Sequence, residues 1–64
     1  MNQLPAIGER IVVYGMPQKA TVEDIIWDEK NCDWKINLDW SEFGKSRVWA
    51  HDEHKVWYRW FSNN

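Results

Sequence analysis

The sequence predicts a small all-β domain, in which five short antiparallel strands curl into a barrel. Apolar residues recur with a period of two rather than 3.6, which is typical of strands that bury one face. The chain contains six Trp, two Tyr and two Phe in 64 residues, and aromatic and β-branched residues favour extended backbone. Five short strands cannot bury one face as a flat sheet, so we expect the sheet to curl and close, which also covers its edges.

The predicted strands follow one another with short polar connections. The first covers residues 10–14 and ends at a turn cluster, Gly15-Met16-Pro17, and the second covers residues 19–27. The third, residues 34–40, has an alternating apolar face formed by Trp34, Ile36, Leu38 and Trp40. The fourth covers residues 45–50, a single 3₁₀ turn is expected at 51–54, and the fifth covers residues 55–61.

Length and composition predict one domain over residues 1–64, with 1–6 as a lead-in and 62–64 as a tail. The single cysteine, Cys32, excludes an internal disulfide and a cysteine-based zinc site. No apolar run approaches the roughly 18–20 residues of a membrane span, and we expect no signal peptide, so an intracellular location is predicted. No cofactor motif is recognised, and no serine or cysteine has a paired base, so we expect a binding module rather than an enzyme.

Three segments resemble SH3-like barrels of the Tudor and chromo-barrel group. Residues 7–13 (IGERIVV) are similar to the opening strand of that group, residues 19–25 (KATVEDI) to its second strand, and residues 34–40 (WKINLDW) to its third strand, which ends in an aromatic residue before a turn. The resemblance covers roughly residues 7–50. It implies a small antiparallel barrel that reads a peptide within a larger protein or complex, with a nuclear location if the domain is Tudor-like.

The same resemblance implies an aromatic cage at the mouth of the barrel. Its members hold methylated lysine or arginine with aromatic residues from the end of the first strand and from the third strand with its following turn. These places hold Tyr14, Trp40 and Phe43, with Asp39 and Glu42 nearby. Ring faces attract a weakly hydrated cation by about 0.5–2 kcal/mol. The alternative is that these rings belong to the core, because Trp40 shares its face with the inward-facing positions of the third strand.

A surplus of tryptophan predicts a second kind of site. Trp27, Trp49 and Trp57 fall opposite the apolar positions of their strands, where we expect them to face outward. Exposed aromatic patches mark interaction sites, so these residues form an alternative docking surface for a protein or peptide, independent of any modification. A small second cluster beneath the last strand would explain them equally well.

Two further hypotheses have less support in the composition. Lys45, Arg47, Lys55 and Arg59 could form a basic patch for nucleic acid across the last two strands, although ten acidic residues outnumber eight basic ones. His51 and His54 have a spacing that a metal site can use, but a histidine pair in a polar turn is usually solvent-exposed, so no metal site is predicted.

Overall fold

The computed structural model describes residues 4–60, and these form a single antiparallel sheet of five strands. The strands are β1 (Arg10–Val13), β2 (Ala20–Asp28), β3 (Asp33–Asp39), β4 (Lys45–Trp49) and β5 (Trp57–Arg59). One 3₁₀ turn (Ser41–Phe43) joins β3 to β4, and a second (Ala50–Asp52) follows β4. The all-β prediction is confirmed, with strand ends shifted by one or two residues. Residues 1–3 of the predicted lead-in, the predicted tail and Phe61 of the predicted fifth strand lie outside the described residues.

The strand order in the sheet is β4-β3-β2-β1-β5. β2 is nine residues long and pairs with β1 through Ala20 and Thr21 and with β3 along most of its length. A register shift between Val22 and Asp24 places a bulge in β2, and a bulge bends a strand and increases its twist. The sheet is therefore curved around β2, as expected for a chain that must bury one face.

The predicted closure of the barrel is not found in the described part of the chain, since β4 and β5 remain the two edges of the sheet. A side chain links these two edge strands, because the indole Nε1–H of Trp57 on β5 donates a hydrogen bond of 2.8 Å to the carbonyl oxygen of Trp49 on β4. β5 has only three residues, and in the described part of the chain it pairs with β1 alone.

The core lies on the concave face of this sheet and draws on every strand. Its buried apolar members are Ile11, Ala20, Val22, Ile36, Leu38, Trp40, Val48 and Trp57. The alternation of the third strand thus predicted three of its inward positions correctly. It was wrong for Trp34, which is 37% exposed, because the β2–β3 hairpin extends beyond the part of the sheet that the other strands cover.

The largest correction concerns Trp57, which was predicted to face outward and is only 1% exposed. Trp57 is paired with Val13 at the start of β5 and enters the core. A three-residue strand gives no reliable alternation, so the sequence pattern could not identify its inner face.

Within residues 4–60 the structure contains no helix with the length and apolar character needed to cross a membrane.

Candidate functional site

Two connections from separate parts of the chain meet at one end of the sheet. The β1–β2 connection turns at Gly15, whose φ of 88° favours glycine, and the Met16 N–H donates to the Val13 carbonyl at 3.0 Å. The β3–β4 connection is the first 3₁₀ turn, in which the Asp39 carboxylate accepts a hydrogen bond of 2.9 Å from the Ser41 N–H. These local bonds place both connections without help from a ligand.

The connections enclose a small apolar hollow of about 70 Å³, lined by Met16, Pro17, Gln18, Trp40 and Phe43. Trp40 forms its floor, because the ring is only 5% exposed and its Nε1–H is held by the Ser46 hydroxyl at 2.7 Å. Phe43 lies at the rim and is 68% exposed. We call this feature the mouth hollow. An apolar space with one fixed ring and one exposed ring can accept an apolar or weakly hydrated group from outside.

The structure brings together only part of the predicted cage. Trp40 and Phe43 share the mouth hollow, whereas Tyr14 is not among its lining residues. The Tyr14 ring instead lies 5.2 Å, centroid to centroid, from the ring of Tyr58. Of the two predicted carboxylates, Glu42 is exposed on the 3₁₀ turn and Asp39 is engaged by the turn backbone. The lining residues that sequence analysis missed are Met16, Pro17 and Gln18. Met16 and Pro17 were interpreted only as part of a turn, and Gln18 was given no role.

The three tryptophans of the predicted docking surface do not lie together. Trp57 is buried, and Trp27 is exposed at the end of the β2–β3 hairpin, where its ring packs edge-on against Trp34 at 5.2 Å. Trp49 is half-buried on β4 and lies under the guanidinium of Arg47 at 5.7 Å. The exposed pair Trp27–Trp34 is therefore a separate feature, and we call it the hairpin pair.

The predicted basic patch is divided between β4, β5 and the turn before β5, and carboxylates neutralise two of its members. Lys45 on β4 forms an ion pair with Glu23 at 2.5 Å, and the hydrogen bond to this carboxylate raises the pKa of Lys45. Arg59 on β5 donates two hydrogen bonds to Glu9, at 2.7 and 3.1 Å. Lys55 and Arg47 are exposed. This arrangement does not concentrate positive charge in the way that a phosphate backbone requires.

The Glu9–Arg59 pair is also the clearest electrostatic feature of the β1–β5 side. Burial raises the pKa of Glu9, but the hydrogen bonds from Arg59 and from the Ala6 N–H together lower it by more than burial raises it. The net shift is therefore downward. The same pair raises the pKa of Arg59, chiefly through the hydrogen bond to Glu9. Both side chains are therefore charged at neutral pH, and they connect the segment before β1 to β5.

A second polar cluster, which the sequence did not predict, joins β3 to the turn after β4. The carboxylate of Asp33 is buried, accepts a hydrogen bond of 2.8 Å from the Trp34 N–H, and contacts His51 Nδ1. His54 is exposed and lies near Glu53 instead. Among residues 4–60 there is no group of three or more side chains that could hold a metal ion. His51 and Asp33 are 18 positions apart, so no local motif could have revealed their contact.

Comparisons of this chain with protein-family models, with curated proteins and with solved structures found no match.

Proposed function

We propose that this domain is a non-catalytic binding module whose mouth hollow holds one apolar side chain of a short extended peptide. The observation that carries the proposal is the meeting of two separate connections around a space of about 70 Å³ with largely apolar walls. The location follows the resemblance to SH3-like barrels of the Tudor and chromo-barrel group, which implies a ligand site at this end of the sheet. In this proposal the module serves within a larger intracellular protein and needs no cofactor.

The walls of the mouth hollow favour an apolar guest over a polar one. Met16 and Phe43 are exposed large apolar side chains, so a guest that covers them removes their surface from water. Methionine is flexible and adapts its shape to a partner, while Trp40 is fixed by Ser46 and gives the guest a rigid floor. Full burial of a leucine-sized side chain contributes about 1.5–3 kcal/mol, so a single residue in this hollow would bind with a dissociation constant weaker than about 1 mM, and flanking peptide contacts would have to add to it.

A methylated lysine or arginine is the second candidate guest. Phe43 and Glu42 lie on the same 3₁₀ turn, so an exposed ring and a carboxylate are adjacent at the rim. A methylated ammonium suits that combination, because it is attracted by ring faces and by negative charge. Only two of the three proposed cage rings line the hollow, however, so the geometry favours the uncharged guest.

A titration with matched model peptides tests both candidates. The probes are acetylated and amidated Gly-Gly-X-Gly-Gly peptides in which X is Leu, trimethyl-lysine, Lys or Glu. The amide signals of Gln18 and Phe43 and the indole N–H signal of Trp40 report on the hollow by NMR. We expect the Leu peptide to shift these signals at the lowest concentration and the Glu peptide to leave them unchanged.

The outcome distinguishes the two guests from each other and from no function at this site. A stronger response to trimethyl-lysine than to Leu would assign the hollow to methylated peptides. Equal responses to Leu and Glu, or shifts confined to residues outside the hollow, would refute the proposal. Phe43→Ala serves as the matched variant, because its exposed ring can be removed with little effect on the core, and it should abolish the response.

A further inference from the structure

The outer edge of β4 has backbone groups that point away from the sheet. The Trp40 N–H donates to the Gly44 carbonyl at 2.8 Å, which continues the register that pairs Leu38 with Ser46 and Ile36 with Val48. In an antiparallel ladder hydrogen-bonded pairs alternate with non-bonded ones. The N–H and C=O groups of Ser46 and Val48 therefore face β3, and those of Lys45, Arg47 and Trp49 face outward.

One contact in the structure agrees with this assignment. The Trp49 carbonyl accepts the indole hydrogen bond of Trp57 at 2.8 Å, so it points away from β3 as the alternation requires. Among residues 4–60, no other hydrogen bond is found to the outward groups of Lys45 and Arg47. β4 thus keeps two residues whose four main-chain groups can pair with an added strand. The other edge, β5, is shorter, and its Trp57 carbonyl already accepts the His54 N–H at 2.6 Å.

The side chains along this edge determine which strand it can accept. Lys45 and Arg47 lie on the convex face, opposite Asp39 and Asn37 of β3. Lys45 is already paired with Glu23, whereas Arg47 has no carboxylate partner within the described range and rests above the Trp49 ring. A broad concavity of about 490 Å³ borders both residues on this face, but its lining also includes Glu23 and Asn37, so it extends over β2 and β3 and not beyond the β4 edge.

These charges disfavour a second copy of the same chain at this edge. An antiparallel pair of β4 strands centred on Ser46 would place Lys45 opposite Arg47, and one centred on Arg47 would place two arginines opposite each other. Like charges at directly opposed positions are destabilising, and opposite charges contribute about 0.2–1 kcal/mol. Basic residues on an edge strand also repel other basic edges. An acidic strand is not repelled.

From this edge geometry we propose that β4 accepts an extended acidic segment of a partner protein as a sixth strand, with a Glu or Asp placed opposite Arg47. The added strand would pair with the outward N–H and C=O groups of Lys45 and Arg47, and main-chain pairing of this kind gives affinity without requiring a deep pocket. Trp57 occupies the Trp49 carbonyl, so pairing ends at that point and the register is limited to the first part of β4.

The test uses two hexapeptides that differ only in charge, Thr-Glu-Val-Glu-Val-Thr and Thr-Lys-Val-Lys-Val-Thr, both acetylated and amidated. Each is titrated into the 64-residue chain while amide signals and hydrogen exchange are followed by NMR. We expect the acidic peptide to shift and protect the Arg47 amide, and the basic peptide to have no effect. Gln18 and Phe43 should not respond, so this outcome is independent of the mouth hollow.

Two variants separate main-chain pairing from charge. Arg47→Ala keeps the outward N–H and should weaken acidic-peptide binding by about 1.5- to 5-fold, the value of one cross-strand ion pair. Arg47→Pro also removes that N–H, which does not belong to the β3 ladder, and an edge strand tolerates proline; it should abolish binding. If this variant fails to fold, protection of the Arg47 amide in the unsubstituted chain decides the question.

Several results would overturn the proposal. These are equal binding of the two peptides, an Arg47 amide that exchanges as fast with the acidic peptide as without it, and undiminished binding to a folded Arg47→Pro variant. A dimer in sedimentation experiments that is disrupted by Arg47→Pro would assign the edge to a second copy and would also refute an acidic partner.

Discussion

Replacing Trp57 with alanine should remove a large share of the domain's free energy of unfolding. Trp57 is the largest fully buried side chain in the described residues, and its indole also connects β5 to the Trp49 carbonyl. Truncation of a buried tryptophan costs about 3–5 kcal/mol, and loss of the hydrogen bond adds about 1 kcal/mol. A domain of this length has a free energy of unfolding of about 3–10 kcal/mol, so the loss is comparable to the whole.

Trp57→Phe separates the two contributions, because it keeps an aromatic ring in the core and removes only the N–H donor and part of the volume. We expect it to remain folded and to lose about 1–3 kcal/mol, since the Trp49 carbonyl loses its partner. Urea denaturation followed by far-ultraviolet circular dichroism measures both variants without relying on tryptophan fluorescence. The midpoint gives the change in stability if the slope is unchanged.

The matched control is Trp60→Ala, because Trp60 is exposed and its main described contact is the Lys19 ammonium, 4.1 Å from the ring centroid. That contact is worth about 0.5–1 kcal/mol at an exposed site. Two results would contradict this prediction: a free energy of unfolding for Trp57→Ala within about 1 kcal/mol of that of the unsubstituted chain, or a loss for Trp60→Ala as large as the loss for Trp57→Ala. The first result would mean that Trp57 does not complete the core, and the second that the loss of stability does not depend on burial of the ring.

Three further predictions concern the turns and ion pairs. Gly44→Ala should cost about 1–3 kcal/mol in a urea titration, because φ 95° and ψ −154° form a glycine-only conformation, although no atom would contact the new methyl group. The lowered pKa of Glu9 stabilises the fold above its unfolded value near 4.5, and this stability is lost as the pH falls through the folded pKa. Glu9→Gln should therefore reduce the difference between the free energies of unfolding at pH 7 and pH 3, obtained from urea titrations, by about 1 kcal/mol or less. Asp33→Asn keeps an acceptor for the Trp34 N–H but replaces the second carboxylate oxygen, which contacts His51 Nδ1, with an NH2 group, so it should cost about 1–3 kcal/mol by thermal or urea unfolding.

The positions of the strands could be predicted because they depend on local chemistry. Each predicted strand is a run of β-branched or aromatic residues between turn residues, and all five runs are strands in the structure. The ends shifted where backbone bonds in turns compete with the ladder. Trp40, for example, leaves β3 because the next residues form a 3₁₀ turn closed by the hydrogen bond from the Gly44 N–H to the Ser41 carbonyl.

The faces of the strands were harder to predict, because a bulge changes the alternation without an obvious sequence signal. Ala20 and Val22 face the core as expected, but after the register shift Ile25 is paired with Ile36 and Trp27 with Trp34. Trp27 therefore lies on the same face as the core residues and is exposed only because it lies beyond them. The prediction that it is exposed was correct, but its reason was wrong.

The composition of the candidate site depended on contacts between distant parts of the chain. Tyr14 leaves the predicted cage because β1 pairs with β5, which brings the ring of Tyr58 beside it. Met16 and Pro17 enter the site because their turn reaches the 3₁₀ turn that contains Phe43. Neither contact is encoded in a local pattern, so the sequence could locate the mouth without giving its lining.

Exposure of aromatic rings is, on its own, weak support for binding in this molecule. Exposed rings occur at the mouth, at the hairpin pair, at Tyr14 and at Trp60, and single exposed apolar residues are common on protein surfaces. The mouth hollow differs from the other exposed rings because two connections enclose a space there. The β4 edge differs because its outward main-chain groups lie beside a charged side chain, that of Arg47. Both features combine shape with a defined chemistry. In the hairpin pair, Trp27 contributes exposed aromatic surface, whereas Trp34 also borders a space of about 220 Å³ that it shares with Asp33 and His51. Binding should therefore depend on Phe43 and Arg47 more than on Trp27, even though Trp27 has the larger ring.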